Sequence, residues 1–235
     1  MLRKELIQRI SSLQDTIKKR SLDAYIVTAE EDIWYFTNIT YRPEERPFFV
    51  VIAPEQKPIL IVPKLEEAHV HKAIIDCEIL SYWEFPSPSN ENWYDVLNGV
   101  LEKYARVGIE SNVKAEVYFK IQAKELICDD LVAVQRQVKS SLELEMIRTS
   151  AKICDESMHK IFNSVYPGAS VVEIFAISKD IQNDLIRAGN FDPVTTSLLT
   201  VAWPAPLSSM PHSIPGLNDR LGQGPNVAMC YFRIN

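Results

Sequence analysis

Phe48-Phe49-Val50-Val51-Ile52-Ala53-Pro54-Glu55-Gln56-Lys57-Pro58-Ile59-Leu60-Ile61-Val62 is a pair of apolar runs parted by a polar, proline-bounded turn. Each run has the length of a buried strand, and the turn sends the chain back on itself, so the stretch predicts a β-hairpin. Working back toward the N-terminus, Ala24-Tyr25-Ile26-Val27 reads as another short buried strand. Ahead of it, Leu2, Leu6, Ile10, Leu13 and Ile17 recur at helical spacing and Ile7 widens the stripe, which predicts an amphipathic helix. That helix ends on Lys18-Lys19-Arg20, cations that suit the negative pole of its dipole. Thr28 and Glu31 make a capping-box pattern before Ile33-Trp34-Tyr35-Phe36 and predict a helix start there.

Downstream of the hairpin, a helix is predicted over 65–74, a strand at Ile79-Leu80, and a loop at Pro86-Ser87-Pro88-Ser89-Asn90. Trp93, Val96, Leu97, Val100, Leu101 and Tyr104 fit a helix, and Val107-Gly108-Ile109 a strand. A helix over 117–127 and a strand at Leu131-Val132-Ala133-Val134 complete the expectation. Strands alternating with helices describe an α/β domain spanning 1–138. The texture then changes to long capped helices. Ser140 with Glu143 and Ser170 with Glu173 are capping boxes, Tyr166-Pro167-Gly168 ends the first of these helices, and Gly189 ends the second. A strand is expected over 194–202, a proline-rich loop after it, and a last apolar strand over 227–234. This second domain, 139–235, has a thin core for its size, and the apolar strand at its end suggests a chain cut in mid-domain with an exposed sheet edge prone to self-association.

Composition narrows the function. No apolar run approaches the length of a membrane span, and a net charge of −6 argues against a protein built to bind a nucleic-acid backbone. Cys77, Cys128, Cys154 and Cys230 are widely spaced with no C-x-x-C pair, as expected of reduced thiols in a cytoplasmic protein. His69 and His71 lie two apart in a predicted helix and point to different faces, so no shared metal site is expected there.

The order of features resembles the creatinase/aminopeptidase P/prolidase family. Leu22-Asp23-Ala24-Tyr25-Ile26-Val27 followed by Ile33-Trp34-Tyr35-Phe36-Thr37 is similar to that family's opening strand and its "YLTG"-like segment, with Asn38 where a glycine is usual. The stretch from Lys139-Ser140 through Glu143 to Ile147-Arg148 resembles the "K-S-x-x-E-I-x-x-I-R" run that begins its catalytic domain. Pro167-Gly168 with Val171-Val172-Glu173-Ile174 resembles the "PG-x-T-E-x-E" turn. Met210-Pro211-His212 with Leu221, Gly224 and Val227 resembles the "PH…L-x-x-GD-x-V" run. The resemblance implies an α/β N-terminal creatinase-like domain followed by a partial α+β pita-bread domain.

It also implies chemistry. The family's Xaa-Pro metallopeptidases hydrolyse the bond before proline using two divalent metals, Mn or Co, held by two aspartates, one histidine and two glutamates. Here the first aspartate would fall at Met229 or Cys230, Pro225 replaces the aspartate usual after Gly224, and no metal ligand is assigned in this chain. The resemblance makes His212 the candidate catalytic residue, since an imidazole can stabilise a tetrahedral species or carry a proton near neutral pH. Arg42 and Arg46, in the charged loop before the hairpin, are candidates for binding a peptide carboxylate. Three readings stay open: a peptidase acting before proline, predicted inactive as this chain alone; a metal-free creatinase-like C–N hydrolase; or a non-catalytic protein-binding module. The expected partners are a peptide or small C–N substrate and a second copy of the chain, with no nucleic acid and no membrane.

Overall fold

The computed structural model describes residues 1–40, 45–71, 73–84, 86–189, 191, 196–210 and 212–233, with residue 233 described by its backbone alone. It divides into two compact units, Met1–Lys139 and Ser140–Asn235.

In the first unit the amphipathic stripe forms α1 (Leu2–Lys19), whose Leu6, Leu13 and Ile17 are fully buried. β1 (Ala24–Val27) follows, then α2 (Glu30–Thr37), and the hairpin appears as β2 (Phe49–Ile52) and β3 (Ile59–Pro63). The strands β4 (Glu78–Tyr82), β5 (Arg106–Ile109) and β6 (Glu125–Cys128) complete a six-stranded sheet among the described residues, in the order β4-β3-β2-β1-β5-β6. The hairpin is antiparallel and pairs antiparallel with β1, whereas β3–β4, β1–β5 and β5–β6 are parallel. Both faces are covered, which is why β1, β2 and β3 are apolar at successive positions instead of alternating. One core gathers α1 and α2 with Tyr25, Val50 and Leu60; the other gathers α4 (Trp93–Leu101) with Ile26, Val51 and Ile61.

Asn38, standing where the resemblance expects glycine, has φ 56°, and its N–H closes the end of α2 on Trp34 O. Asparagine is one of the few residues that tolerate this left-handed position. Gly108 in β5 has a different reason to be glycine. A Cβ there would lie 2.5 Å from Tyr25 Cδ2 and 2.9 Å from Leu22 Cδ1. Tyr25 cannot swing aside easily, because its ring is buried and its hydroxyl donates to Asp129 O at 2.6 Å. Gly108→Ala is therefore expected to cost about 2 kcal/mol by overpacking, read as a lowered urea midpoint with an unchanged slope.

Four local expectations are corrected. Thr28 does not cap α2: its N–H and hydroxyl both donate to Glu110, and the cap position is Ala29, without a side-chain cap bond. The 117–127 stretch is not one helix. Only α5 (Ala115–Tyr118) is helical there, because Asn98 intercepts the chain, donating to Lys120 O at 3.0 Å and accepting from Gln122 N–H at 2.8 Å. Glu125 to Cys128 then pairs with β5. The run at 131–134 is not a strand but the start of α6 (Leu131–Gln135), with Leu131 and Val132 packed into the first core. So short an apolar run carries no period that separates the two. The helix expected over 65–74 shrinks to a 3-10 turn at Lys64–Glu66 and α3 (Glu67–Val70).

In the second unit both capping boxes form, opening α7 (Ser141–Ser164) and α8 (Val171–Arg187). Gly189 follows the end of α8 at φ +74°. β7 (Ser197–Trp203) and β8 (Val227–Arg233) make an antiparallel two-stranded sheet. Residues 194 and 195 of the expected strand lie outside the described residues, as does 234.

Candidate functional site

The two faces of the β7–β8 sheet differ. Thr200 donates to Ile174 O of α8 at 2.6 Å, so its face turns to the helices. Cys230 is opposite Thr200 and Ala228 opposite Ala202, and both pack against the small core around Ile161, Ile174 and Ala202. By strand alternation, Leu199, Val201 and Trp203 share the other face with Val227, Met229 and Tyr231. Those three β8 side chains are exposed. Met229 therefore lies on the open face, and Cys230 is turned away from it.

The loop from Pro204 to Asn226 is stitched back onto the start of α8. Leu221 is buried; its N–H donates to Ala169 O at 2.9 Å and its carbonyl accepts from Gly168 N–H at 2.7 Å. Val171 N–H reaches Asp219 O at 3.0 Å, and Arg220 reaches Gly168 O at 2.9 Å. Gly168 takes φ +95°, a conformation that favours glycine. Two of the motifs read from the sequence, the Pro-Gly turn and the run ending in Leu221 and Gly224, thus hydrogen-bond each other.

His212 sits in this loop with φ 59° and an exposed side chain. Its placement is set by the next residue. Trp203 at the end of β7 donates its indole N–H to Ser213 O at 2.8 Å, and Ser213 Oγ donates to Leu207 O at 2.9 Å. Ser213 N–H closes a turn on Met210 O at 3.2 Å. Just beyond, residues 214–217 wall an apolar cleft of about 290 Å³ with Val171, Val172 and Phe175 of α8 and Leu199 and Val201 of β7. Trp203 and Ser213 were not singled out in the sequence. A tryptophan ending a strand just before a proline-rich loop is the signal that points to them.

Arg42 lies outside the described residues. Arg46 belongs to the first unit and forms ion pairs with Glu84 and, at 2.9 Å, with Glu45. It borders a cleft of about 210 Å³ with Phe48, Phe49, Lys114 and Val117. Below that end of the sheet, Glu110 at the end of β5 is 3% exposed. Its Oε2 accepts from Thr28 N–H at 2.7 Å, Thr28 Oγ at 2.9 Å and Ala29 N–H at 2.9 Å. Burial pushes its carboxyl up to about 7 against the lowering effect of those N–H donors, and neighbouring Asp32 pushes the same way. Asp32 in turn pairs with Arg136 of the segment after α6.

A two-metal centre calls for clustered hard oxygen donors. Among the described residues, no three His, Cys, Asp or Glu side chains gather as metal ligands do. The open face of β7–β8 offers thioether, indole, phenol and aliphatic groups. The residues present do not fit such a pair.

A family model for the creatinase/prolidase N-terminal domain matches residues 9–147, more than half of the chain. The chain belongs to that family. Among curated relatives, the creatinase/prolidase chain is 26% identical over 203 residues to an uncharacterized hydrolase/peptidase, y4tL, of Sinorhizobium fredii, matching 80% of this chain and 51% of that protein. It is 23% identical over 210 residues to an uncharacterized peptidase of Staphylococcus aureus, matching 88% and 57%. The chain spans about half the length of the curated relatives it matches. Solved structures share the fold. An Xaa-Pro dipeptidase from Bacillus anthracis superposes with a TM-score of 0.73 at 18% identity, over 97% of this chain and 60% of that one. Dipeptidase PepE from Mycobacterium ulcerans gives 0.74 at 13% identity, over 98% and 64%. The creatinase-like domain followed by part of a prolidase fold is therefore the architecture of this chain. No helix among its described residues is long and apolar enough to cross a membrane.

Proposed function

We propose that this creatinase/prolidase chain supplies peptide-binding surface and one proton-handling residue, His212, to a cytoplasmic peptidase that cleaves the bond before proline. The observation that carries the reading is the anchoring of His212: Trp203 and Ser213 hold it at a fixed place in the loop that walls the apolar cleft. An apolar residue of a peptide fits that cleft, while the imidazole donates to, or accepts from, the neighbouring peptide group. Within the first unit, Arg46, paired with the exposed Glu45, is proposed to bind a peptide carboxylate, and Arg42 is proposed for the same role. The names of the solved relatives support a dipeptide with proline second. The edge of β8 that has no strand partner among the described residues, with Val227, Met229 and Tyr231 exposed beside it, supports pairing with a second copy.

A metal-free, creatinase-like hydrolase is the second reading, favoured by Met229 standing on the open face. Histidine NMR separates the two. Millimolar Leu-Pro is expected to shift the His212 imidazole resonances, assigned by their loss in His212→Ala, more than Leu-Ala does. Shifts with creatine and none with Leu-Pro would favour the second reading. An imidazole unmoved by all three would overturn both.

A further inference from the structure

Cys154 and Cys230 are 76 residues apart in sequence, yet the fold brings them together where α7 crosses the helix-facing side of β8. The Cys230 thiol lies 3.7 Å from Cys154 O. Burial pushes both thiols up, Cys154 to about 11, and each also acts on the other's proton affinity. Both are half-buried and unbonded, so small reagents can reach them. No third ligating side chain joins them among the described residues, so the pair lacks the donors of a metal site. The surrounding contacts keep it in place: Cys230 is paired across the sheet with Thr200, whose hydroxyl is tied to α8. A vicinal-in-space dithiol held by rigid elements is suited to closing on itself, because the second thiol is already within reach once the first has reacted.

We propose that Cys154 and Cys230 are a dithiol redox site that closes to an intramolecular disulfide on meeting a small-molecule disulfide such as oxidised glutathione. One cysteine, as thiolate, attacks a glutathione sulfur; the glutathione S–S bond breaks and a mixed disulfide forms. The released glutathione thiolate takes up a proton. The second cysteine loses its proton, attacks the mixed disulfide, forms the Cys154–Cys230 bond and expels the second glutathione. Two protein thiols are oxidised and one small disulfide is reduced to two thiols. The new bond ties α7 to β8 and constrains the unfolded chain.

The test uses the full chain and oxidised glutathione. After incubation, free thiols are alkylated in denaturant and the protein is digested without reduction for mass spectrometry. The expected result is one cross-linked peptide pair joining Cys154 to Cys230, with Cys77 and Cys128 alkylated or carrying glutathione. The melting temperature of the oxidised chain is expected to rise and to return on reduction. In Cys154→Ser, Cys230 is expected to keep glutathione as a stable adduct, with no rise in melting temperature. The proposal is overturned if Cys154 and Cys230 are alkylated as fully as before oxidation, if each carries its own glutathione in the wild-type chain, or if either is linked instead to Cys77, Cys128 or a second chain. The wild-type cross-link decides the matter even if a serine variant fails to fold.

Discussion

Replacing His212 with alanine in an active protein that carries this chain is expected to lower turnover on an Xaa-Pro dipeptide by roughly 10²-fold or more, the scale of losing a positioned acid/base or hydrogen-bond donor. The fold is expected to change little. His212 is exposed, and the loop around it is held by Trp203, Ser213 and Leu221, none of which needs the imidazole. The stability change is therefore expected to stay within about 1 kcal/mol, as for a surface substitution. The backbone at 212 has φ 59°, so His212→Asn is the better-matched second variant, because asparagine tolerates this conformation. Asparagine keeps a hydrogen-bond donor but cannot carry a proton near neutral pH. Asparagine restoring most of the turnover would identify a hydrogen-bonding role; asparagine as slow as alanine would identify proton transfer. Full kcat/KM in His212→Ala, on both a proline dipeptide and a creatine-like amidine, would remove His212 from the chemistry.

The pH dependence of stability is expected to carry the signature of Glu110. Burial raises its folded-state pKa from the ordinary 4.5 to about 7, despite the Thr28 and Ala29 N–H groups that favour the ion. A carboxyl raised in the folded state contributes its stability fully below about 4.5 and loses it as the pH climbs through about 7. The gap corresponds to about 3 kcal/mol. Oε1 makes no hydrogen bond as an ion, whereas a proton there can be donated to Asp32. Glu110→Gln keeps an oxygen for Thr28 and Ala29 and places an amide N–H toward Asp32, imitating the protonated acid. The variant is expected to match the wild type at pH 5 and to exceed it by up to about 3 kcal/mol at pH 8, measured by urea denaturation. A wild-type advantage that grows from pH 5 to pH 8 would show that the carboxylate is held as an ion.

What the sequence disclosed was local. β1 and the hairpin were legible because uninterrupted β-branched and aromatic runs need no partner to be recognised. The caps at Ser140 and Ser170 were legible because both halves of a capping box lie within four residues. The errors came where a distant group intervenes. Asn98 breaks the helical reading of 117–127 from 22 residues away, and Glu110 takes Thr28 from a capping role across 82 residues. At the candidate site, His212 was accessible through its motif, and Trp203 could be flagged only as a tryptophan ending a strand before a proline-rich loop; the indole bond to Ser213 O needs the fold to bring β7 beneath the loop. The same holds for Cys154 and Cys230, whose spacing in sequence suggested unrelated thiols.

The position of β1 in the sheet bears on how the chain is made. Of the strands of this sheet it is the first to leave the ribosome, and it lies between β2 and β5. Its neighbour on one side follows within about twenty-five residues, but Ala24 must wait for Val107 to fill the other. During synthesis, then, a fully apolar strand has one side without a partner until most of the first unit has emerged. Parallel pairings between distant segments form slowly. Nascent chains stalled between β3 and β5 should therefore recruit chaperones that chains stalled past Ile109 no longer need.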